Sequence, residues 1–370
     1  MSTLKVTNIE NPDGGGVSAK LADVGGGQLS NRNLIINGAM QVAQRATSKT
    51  GITATGYYTV DRFQTVTTDE ATYTMEQSTD APAGFVNSTK FTITTADSSV
   101  AADDYAGCLY LLEGNDTVPL GFGASGAKSF TLSFYVKSSQ TGTFGLTFQN
   151  NGNSRNFAAS YTINAADTWE RKTITIPGYT SGTWQKDTAA GLKIWWSFLV
   201  GSTYEASVVS TSWATHGSNL KLGLNGQVQL SSITNATWQL TGVQLEVGSV
   251  ATSFEHRSFG EELQKCKRYF QKSYSYGTAV GSNTADGRYY FLLGVDTAAR
   301  NKGGSVYLGH EMRVAPTTNF YNDAGTQGVI QLPASSVTPL LLKTHVIAIY
   351  VSNTAAPEIA GAWTAEAELS

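Results

Sequence analysis

The stretch LEVGSVATSFEHRSFGEELQKCKRYF, residues 245–270, changes its hydrophobic period from two to about 3.6 along its length. It begins with the alternation of a strand, and then four apolar residues recur at the spacing of one helical face: Phe259, Leu263, Cys266 and Phe270. Ser258 followed by Glu261 has the spacing of a capping box, which satisfies free backbone amides where a helix starts. The stretch therefore predicts a linking helix over residues 258–270.

The chain before this helix alternates with a period of two, which predicts strands. In SFTLSFYVK, residues 129–137, one face is apolar: Phe130, Leu132, Phe134 and Val136. GLKIWWSFLV, residues 191–200, repeats the pattern with Leu192, Ile194, Trp196 and Phe198. The alternation slips by one residue at Thr241 and Gly242, which predicts a β-bulge. We expect residues 34–257 to form a large jelly-roll-like β-sandwich of the carbohydrate-binding-module type.

Strand patterns resume after the helix, so residues 271–370 are predicted to form a smaller C-terminal β-sandwich. The fold class is therefore all-β, with one short linking helix. Residues 1–33 contain two runs of three glycines and too few apolar residues for a core of their own. We interpret residues 1–33 as an arm or linker that becomes ordered against another molecule.

Composition excludes several classes of function. Charged residues are 14% of the chain, against about 25% in an average soluble domain, and the net charge is −3 without a basic cluster. This argues against nucleic-acid binding, and the lack of a run of about 18 apolar residues argues against membrane insertion. Cys108 and Cys266 cannot form a disulfide framework, and no secretion signal opens the sequence, so we expect folding in a reducing compartment.

The sequence offers little catalytic chemistry. Residues 121–126 match GxGxxG, but a strand pattern follows where a dinucleotide site needs a helix. None of the four histidines (His216, His256, His310 and His345) stands in a metal spacing. We interpret His256 as part of a hydrogen-bonded joint, and Asp61 with Arg62 as an internal ion pair. We expect no enzyme activity, no catalytic residues, no metal site and no cofactor, apart from a structural calcium ion that the sequence does not place.

Three tryptophans are candidate carbohydrate-binding residues: Trp195, Trp184 and Trp213. If Ile194 and Trp196 point inward, Trp195 points outward, and an outward indole can stack on a sugar ring beside hydroxyl and amide donors. Trp184 and Trp213 lie in turn-like segments and could do the same. Burial of these three rings against another subunit is the alternative interpretation.

Four blocks of the sequence resemble a recurrent module of tail-fibre and receptor-binding proteins of tailed phages. The blocks are NLIINGAMQVAQR, YTVDRF, FYVKSS and TGVQLEVG through FEHRSFGEEL, which span residues 33–45, 58–63, 134–139 and 241–263. The family commonly has Pro where this chain has Ser253. The opening MSTLKVTNI is similar to arms on marine phage fibres.

This resemblance implies a virion protein that is assembled in the host cytoplasm. It implies a non-enzymatic homotrimer that attaches to the host cell by binding a surface glycan. Residues 1–33 would then attach the protein to other tail or neck proteins of the virion. A purely structural collar or neck fibre, or an adaptor component without a receptor, is the alternative hypothesis.

Overall fold

A computed structural model describes residues 8–10, 17–20, 31–152, 154–215, 221–292, 300–330, 338–354 and 358–369. Within the predicted arm, β1 (Asn8–Glu10) pairs with β2 (Val17–Lys20) in antiparallel register. The rest of residues 1–30 lies outside the described residues, and the role predicted for the arm stays a prediction.

Two six-stranded sheets form the first sandwich. Sheet A contains β3 (Ser48–Ile52), β5 (Thr72–Ser78), β6 (Ser88–Thr95), β8 (Phe130–Ser138), β11 (Glu170–Ile176) and β16 (Thr237–Val247). Its strand order is β11-β8-β16-β6-β5-β3. Sheet B contains β4 (Phe63–Thr67), β7 (Tyr105–Glu113), β9 (Gly142–Asn150), β10 (Arg155–Ile163), β12 (Ala190–Val200) and β14 (Ala214–Thr215). Its strand order is β14-β10-β9-β12-β7-β4.

The core of this sandwich lies between sheets A and B, where the predicted alternation holds. Phe130, Leu132, Phe134 and Val136 on β8 are fully buried, as are Leu192, Ile194, Trp196 and Phe198 on β12. Rings from the two sheets meet edge to face, with the centroids of Phe134 and Trp196 5.9 Å apart. The residues between them on β8 therefore face outward, and this places Tyr135 on the outer face of sheet A.

Short elements complete the first sandwich. A one-turn helix α1 (Gly114–Thr117) and a 3-10 helix (Val118–Leu120) follow β7, and a second 3-10 helix (Leu230–Ser232) precedes β16. β13 (Glu205–Ala206) and β15 (Gly223–Leu224) form a small parallel pair. The predicted bulge is confirmed, because the register of β16 against β8 shifts between Thr241 and Gln244.

The predicted linking helix is shorter than expected. Helix α2 spans Phe259–Lys267, and the Ser258 side chain caps it by accepting a hydrogen bond from the Glu261 amide at 3.3 Å. The prediction that one face of this helix is apolar along residues 259–270 is wrong in part. Cys266 is buried and Leu263 is half-buried, but Phe259 is 44% exposed. Phe270 belongs to the strand that follows, because its backbone pairs with the last strand of the chain.

The strands after α2 form two sheets that face each other. β23 (Glu358–Glu366) pairs with β17 (Phe270–Lys272), β18 (Tyr289–Leu292) and β20 (Thr317–Tyr321). The second sheet has β22 (Val346–Thr354) between β19 (Arg300–Tyr307) and β21 (Thr338–Lys343). Both sheets contribute to one buried cluster that includes Val306, Phe320, Ile347 and Trp363. The predicted fold class, all-β with a large sandwich, a short helix and a smaller sandwich, is confirmed, and the domain limits stay predictions.

A buried charge network joins residues of the first two sequence blocks, 33–45 and 58–63, to residues near the chain end. Arg62, whose side chain is 1% exposed, pairs with Glu368 and donates to the Leu111 carbonyl at 2.7 Å. Arg45 pairs with Glu366 at 3.1 Å and with Glu368 at 3.3 Å. The prediction that Asp61 and Arg62 pair with each other is wrong. Asp61 instead accepts hydrogen bonds from the backbone and side-chain amides of Gln44. Asp61 and Arg62 both lie in a turn, where Arg62 has a φ of +74° and its side chain reaches Glu368.

Candidate functional site

Trp195 points away from the sandwich core, as predicted, but it is not exposed. The segment after β12 folds over the outer face of sheet B, and Trp195 is covered by a cluster that includes Leu222, Tyr105 and Tyr204. Its ring lies 5.8 Å from that of Tyr105, and only 3% of the residue is accessible. The prediction of an exposed indole platform at Trp195 is therefore wrong.

Trp184 and Trp213 come together, with ring centroids 5.5 Å apart at 85°. Phe122 and Tyr179 contact both rings. Trp184 is 6% exposed, so the prediction of an accessible loop indole is wrong there. Trp213 is half-buried, and its indole N–H donates to the Pro177 carbonyl at 2.7 Å. A sugar-binding role for Trp213 stays a prediction.

Accessible aromatic rings occur instead on the outer face of sheet A. There, two loops border a groove of about 470 Å³, here called the outer groove. Its floor is formed by Ser133 and Tyr135 on β8, Arg171 on β11 and Gly242 at the bulge of β16. One wall is the turn Ala83, Gly84 and Phe85 between β5 and β6. The other wall follows β16 and contains Ala251, Thr252, Ser253, Phe254 and His256.

The β-bulge makes the floor of the outer groove possible. Gly242 has a φ of +61°, in the left-handed region that a glycine adopts without strain. A Cβ at this position would lie 2.7 Å from the ring of Phe85 and 2.9 Å from the ring of Tyr135. The absent side chain therefore leaves room for both rings, whose centroids are 5.5 Å apart.

Aromatic contacts and hydrogen bonds fix the second wall. Phe254 and His256 pack on Phe85, at centroid distances of 5.0 and 5.3 Å. Glu246 on β16 accepts from the Thr252 amide and from its hydroxyl, both at 2.8 Å. These contacts tie residues 252–256 to the sheet, so the wall is positioned before any ligand binds.

The floor and the second wall are also connected by Arg171. It lies directly opposite Tyr135 in the β11–β8 register, and its guanidinium donates to the Thr252 carbonyl at 2.8 Å. Arg171 and His256 are exposed, whereas Tyr135 and Phe85 are half-buried. The groove thus presents partly accessible ring faces beside hydroxyl and guanidinium donors, an arrangement that can hold a ring-shaped polar ligand.

A second polar cluster lies farther along the same face of sheet A. Asp80 accepts from the Trp169 indole at 3.1 Å and from Gln239 at 3.2 Å, and it pairs with Lys137. Burial raises the pKa of Asp80, but the hydrogen bonds from Lys137, Trp169 and Gln239 outweigh it and lower the pKa below its ordinary value. Trp169 is half-buried, so its ring is a further partly accessible aromatic group on the outer face of sheet A.

The alternation along SFTLSFYVK places Tyr135 on the face opposite Phe134, but no sequence feature marks it as a binding residue. Arg171 and Phe85 are likewise not among the predicted site residues. Trp169 and Arg171 are two positions apart and therefore share one face of the predicted strand, and this spacing could have indicated the groove floor. No sequence pattern near Phe85 indicates that its turn folds over Gly242.

His256 lies in the wall, where it packs on Phe254 at 4.8 Å, while Arg257 makes the buried contacts of the joint. His216 lies outside the described residues. Within the described ranges, no group of three or more His, Cys, Asp or Glu residues is arranged to hold a metal ion. A structural calcium ion stays a prediction. No helix in the described part of the chain is long and apolar enough to cross a bilayer.

Comparisons with known proteins give only distant likenesses. No protein-family model matches the sequence, and no curated protein matches it. Among solved structures, a domain of tailspike protein 4 of bacteriophage CBA120 is 12% identical, with a TM-score of 0.30. That match covers 58% of this chain and only 21% of the tailspike chain.

Carbohydrate-binding modules are also among the structural neighbours. The family 11 module of Clostridium thermocellum, solved with a mixed-linked tetrasaccharide, is 11% identical with a TM-score of 0.27, and the match covers 57% of this chain and 99% of the module. TmCBM61, solved with β-1,4-galactotriose, is 7% identical with a TM-score of 0.29, over 59% and 99% of the two chains. These scores are too low to carry an argument about function.

Proposed function

We propose that the outer groove binds a carbohydrate. The observation that carries this proposal is the floor, where the half-buried ring of Tyr135 lies beside Ser133 and Arg171. A sugar ring has apolar C–H faces and a rim of hydroxyl groups, so it needs an aromatic surface and hydrogen-bonding groups at its edge. The groove volume of about 470 Å³ lies in the usual range of small-molecule sites, which is about 300–1,000 Å³.

We further propose that the chain is a virion protein of a tailed phage, a tail fibre or tail appendage that attaches to the host cell through a surface glycan. The four sequence blocks support this assignment. Three of the blocks contain residues with structural roles. Arg45 and Arg62, from the first two blocks, belong to the buried charge network, and Gly242, from the fourth, lies in the floor of the outer groove. The proposed role is adhesive, without catalysis or a cofactor.

Assembly and location are part of the same proposal. The protein would be a homotrimer, assembled in the host cytoplasm and incorporated into the virion, with residues 1–33 bound to other tail or neck proteins. Three copies acting together would raise the effective affinity of a weak single groove without any new contact.

Tyr135→Ala tests the glycan site directly. We expect the variant to adsorb to host cells and to bind their purified surface polysaccharide at least about tenfold more weakly, which corresponds to ~1.4 kcal/mol. The half-buried ring should be removable without unfolding, as a melting curve will show. Tyr307→Ala is the matched control, because Tyr307 is 77% exposed and lies on β19, outside the groove.

Unchanged binding by the Tyr135 variant, or a loss confined to the Tyr307 variant, would reject the outer groove as the receptor site. If the wild-type protein binds no host polysaccharide at all, the alternative of a collar, neck or adaptor component without a receptor gains support.

A further inference from the structure

We infer that the outer groove selects a negatively charged sugar, one that carries a carboxylate or a sulfate, over a neutral one. This inference rests on the proposed carbohydrate-binding function and specifies its ligand class. Its basis is a difference between the groove and the rest of the chain. Acidic residues outnumber basic ones by 28 to 25 overall, yet the side chains that line the groove include Arg171 and His256 and no carboxylate.

The geometry of Arg171 fits an anion. The guanidinium donates to the Thr252 carbonyl, which is the only side-chain hydrogen bond that Arg171 makes to a described residue, and the side chain is exposed. This bond fixes the direction of the guanidinium and leaves its other N–H groups for a ligand. Because a guanidinium presents parallel donors in a plane, it matches the paired oxygens of a carboxylate or sulfate. Tyr135, directly opposite on β8, places an aromatic ring at the neighbouring position of the groove floor.

Nearby carboxylates are engaged by groups of the protein itself. Glu246 accepts from Thr252 and from Gln244, and Glu255 accepts from the Asn33 amide at 3.0 Å and pairs with Arg257 at 3.4 Å. Asp80, at the far side of the face, is paired with Lys137. None of the three is among the groove-lining residues. The cationic side chain in the floor is therefore not neutralised by a carboxylate of the lining, and a ligand anion can supply the missing charge.

The test uses one polysaccharide backbone in three charge states: dextran, carboxymethyl-dextran and dextran sulfate, with neutral galactan and xylan as further probes. Retardation of the full-length protein in affinity gels gives the dissociation constants. We expect both charged dextrans to bind at least about tenfold more tightly than neutral dextran, and Arg171→Gln to abolish this preference. Arg171→Lys should retain part of it, because the charge remains while the planar donor pair is lost.

Lys128→Gln is the control for a general loss of positive charge, since Lys128 is exposed and lies outside the groove lining. If neutral and charged dextrans bind equally tightly, and this binding depends on Tyr135 but is unchanged by Arg171→Gln, the anionic preference is overturned and the carbohydrate-binding function stands. Binding of charged dextrans that survives both substitutions would place the anion elsewhere and overturn the inference. Binding to none of the five polysaccharides would reject both the inference and the proposed function of the groove.

Discussion

At the scale of single residues, the first sandwich buries charged side chains, which folded proteins almost never bury fully unless they are paired. Arg62 is among the largest fully buried side chains, and its guanidinium lies 3.5 Å from the centre of the Tyr269 ring. Burial alone lowers the pKa of Arg62, but the charge of Glu368 outweighs it and raises the pKa well above its ordinary value. The guanidinium is thus kept charged by a partner more than 300 positions away in the sequence.

Glu368→Gln should be strongly destabilising, because it leaves the buried charge of Arg62 without its counter-charge. We expect the free energy of unfolding in urea to fall by about 3–5 kcal/mol. Glu76→Gln is the matched control, since its partner Lys90 is 3.9 Å away and both side chains are about one-third exposed. That change should cost less than about 1 kcal/mol. Similar losses in the two variants would contradict this account of the buried network.

At the scale of elements, helix α2 is short because the chain must return to a strand at Phe270. Its first turn depends on Ser258, and Glu262 is buried, where it pairs with Arg257 at 3.0 Å and accepts from the Asn37 amide. The helix is therefore held to the first sandwich by a carboxylate on its inner side as well as by Cys266.

Ser258→Ala should remove the N-cap of α2 and lower the free energy of unfolding by about 1 kcal/mol. Ser258→Asp retains an acceptor for the Glu261 amide and should be close to wild type, because aspartate is an equally good N-cap residue. Chemical denaturation of both variants measures the difference. If alanine and aspartate destabilise equally, the cap observed at Ser258 does not stabilise the helix.

The turn between β10 and β11 should be sensitive to acid. Burial raises the pKa of Glu170, but hydrogen bonds from Lys172 and from the amides of Ala165 and Asn164 lower it from 4.5 to about 2. A lowered pKa in the folded state means that ionised Glu170 stabilises the fold above pH 4.5, and that this contribution is lost as the pH falls towards 2.

Glu170→Gln provides the comparison for this effect. Urea unfolding at a series of pH values should show wild type more stable than the variant above pH 4.5, and the difference should shrink as the pH falls through that window. A difference that is constant with pH, or that grows in acid, would show that Glu170 does not have a lowered pKa in the folded protein.

At the scale of the whole molecule, two sandwiches share buried interactions rather than being joined by the helix alone. Glu366 and Glu368 at the chain end pair with arginines of the first sandwich, and Arg268 after α2 pairs with Glu113 of β7 at 2.6 Å. Arg313 of the second sandwich donates to the Thr188 carbonyl of the first. These contacts bind the second sandwich to one end of the first.

The proposed trimer makes a prediction about mass. Light scattering of the full-length protein should give three times the 39.4 kDa of one chain at micromolar concentration. Three grooves on one particle would also bind an immobilised polysaccharide with an apparent affinity well above that for a short soluble fragment. A monomeric mass, with equal affinity for the two forms of ligand, would contradict the trimer.

The sequence by itself determined the strands, the bulge at Gly242 and the capped start of α2. Each depends on neighbours along the chain, because alternation assigns every second side chain to the core and an N-cap contacts an amide only three residues away. Tyr135 could be placed on an outer face for the same reason.

Only the tertiary structure decided which outward side chains remain accessible. Trp195 and Tyr135 have the same local pattern, but the segment with Tyr204 and Leu222 covers the first, while the turn at Phe85 leaves the second at the floor of a groove. Likewise, Arg62 pairs with Glu368 rather than with its neighbour Asp61. Loop paths and long-range ion pairs depend on contacts between distant parts of the chain, and no local periodicity encodes them.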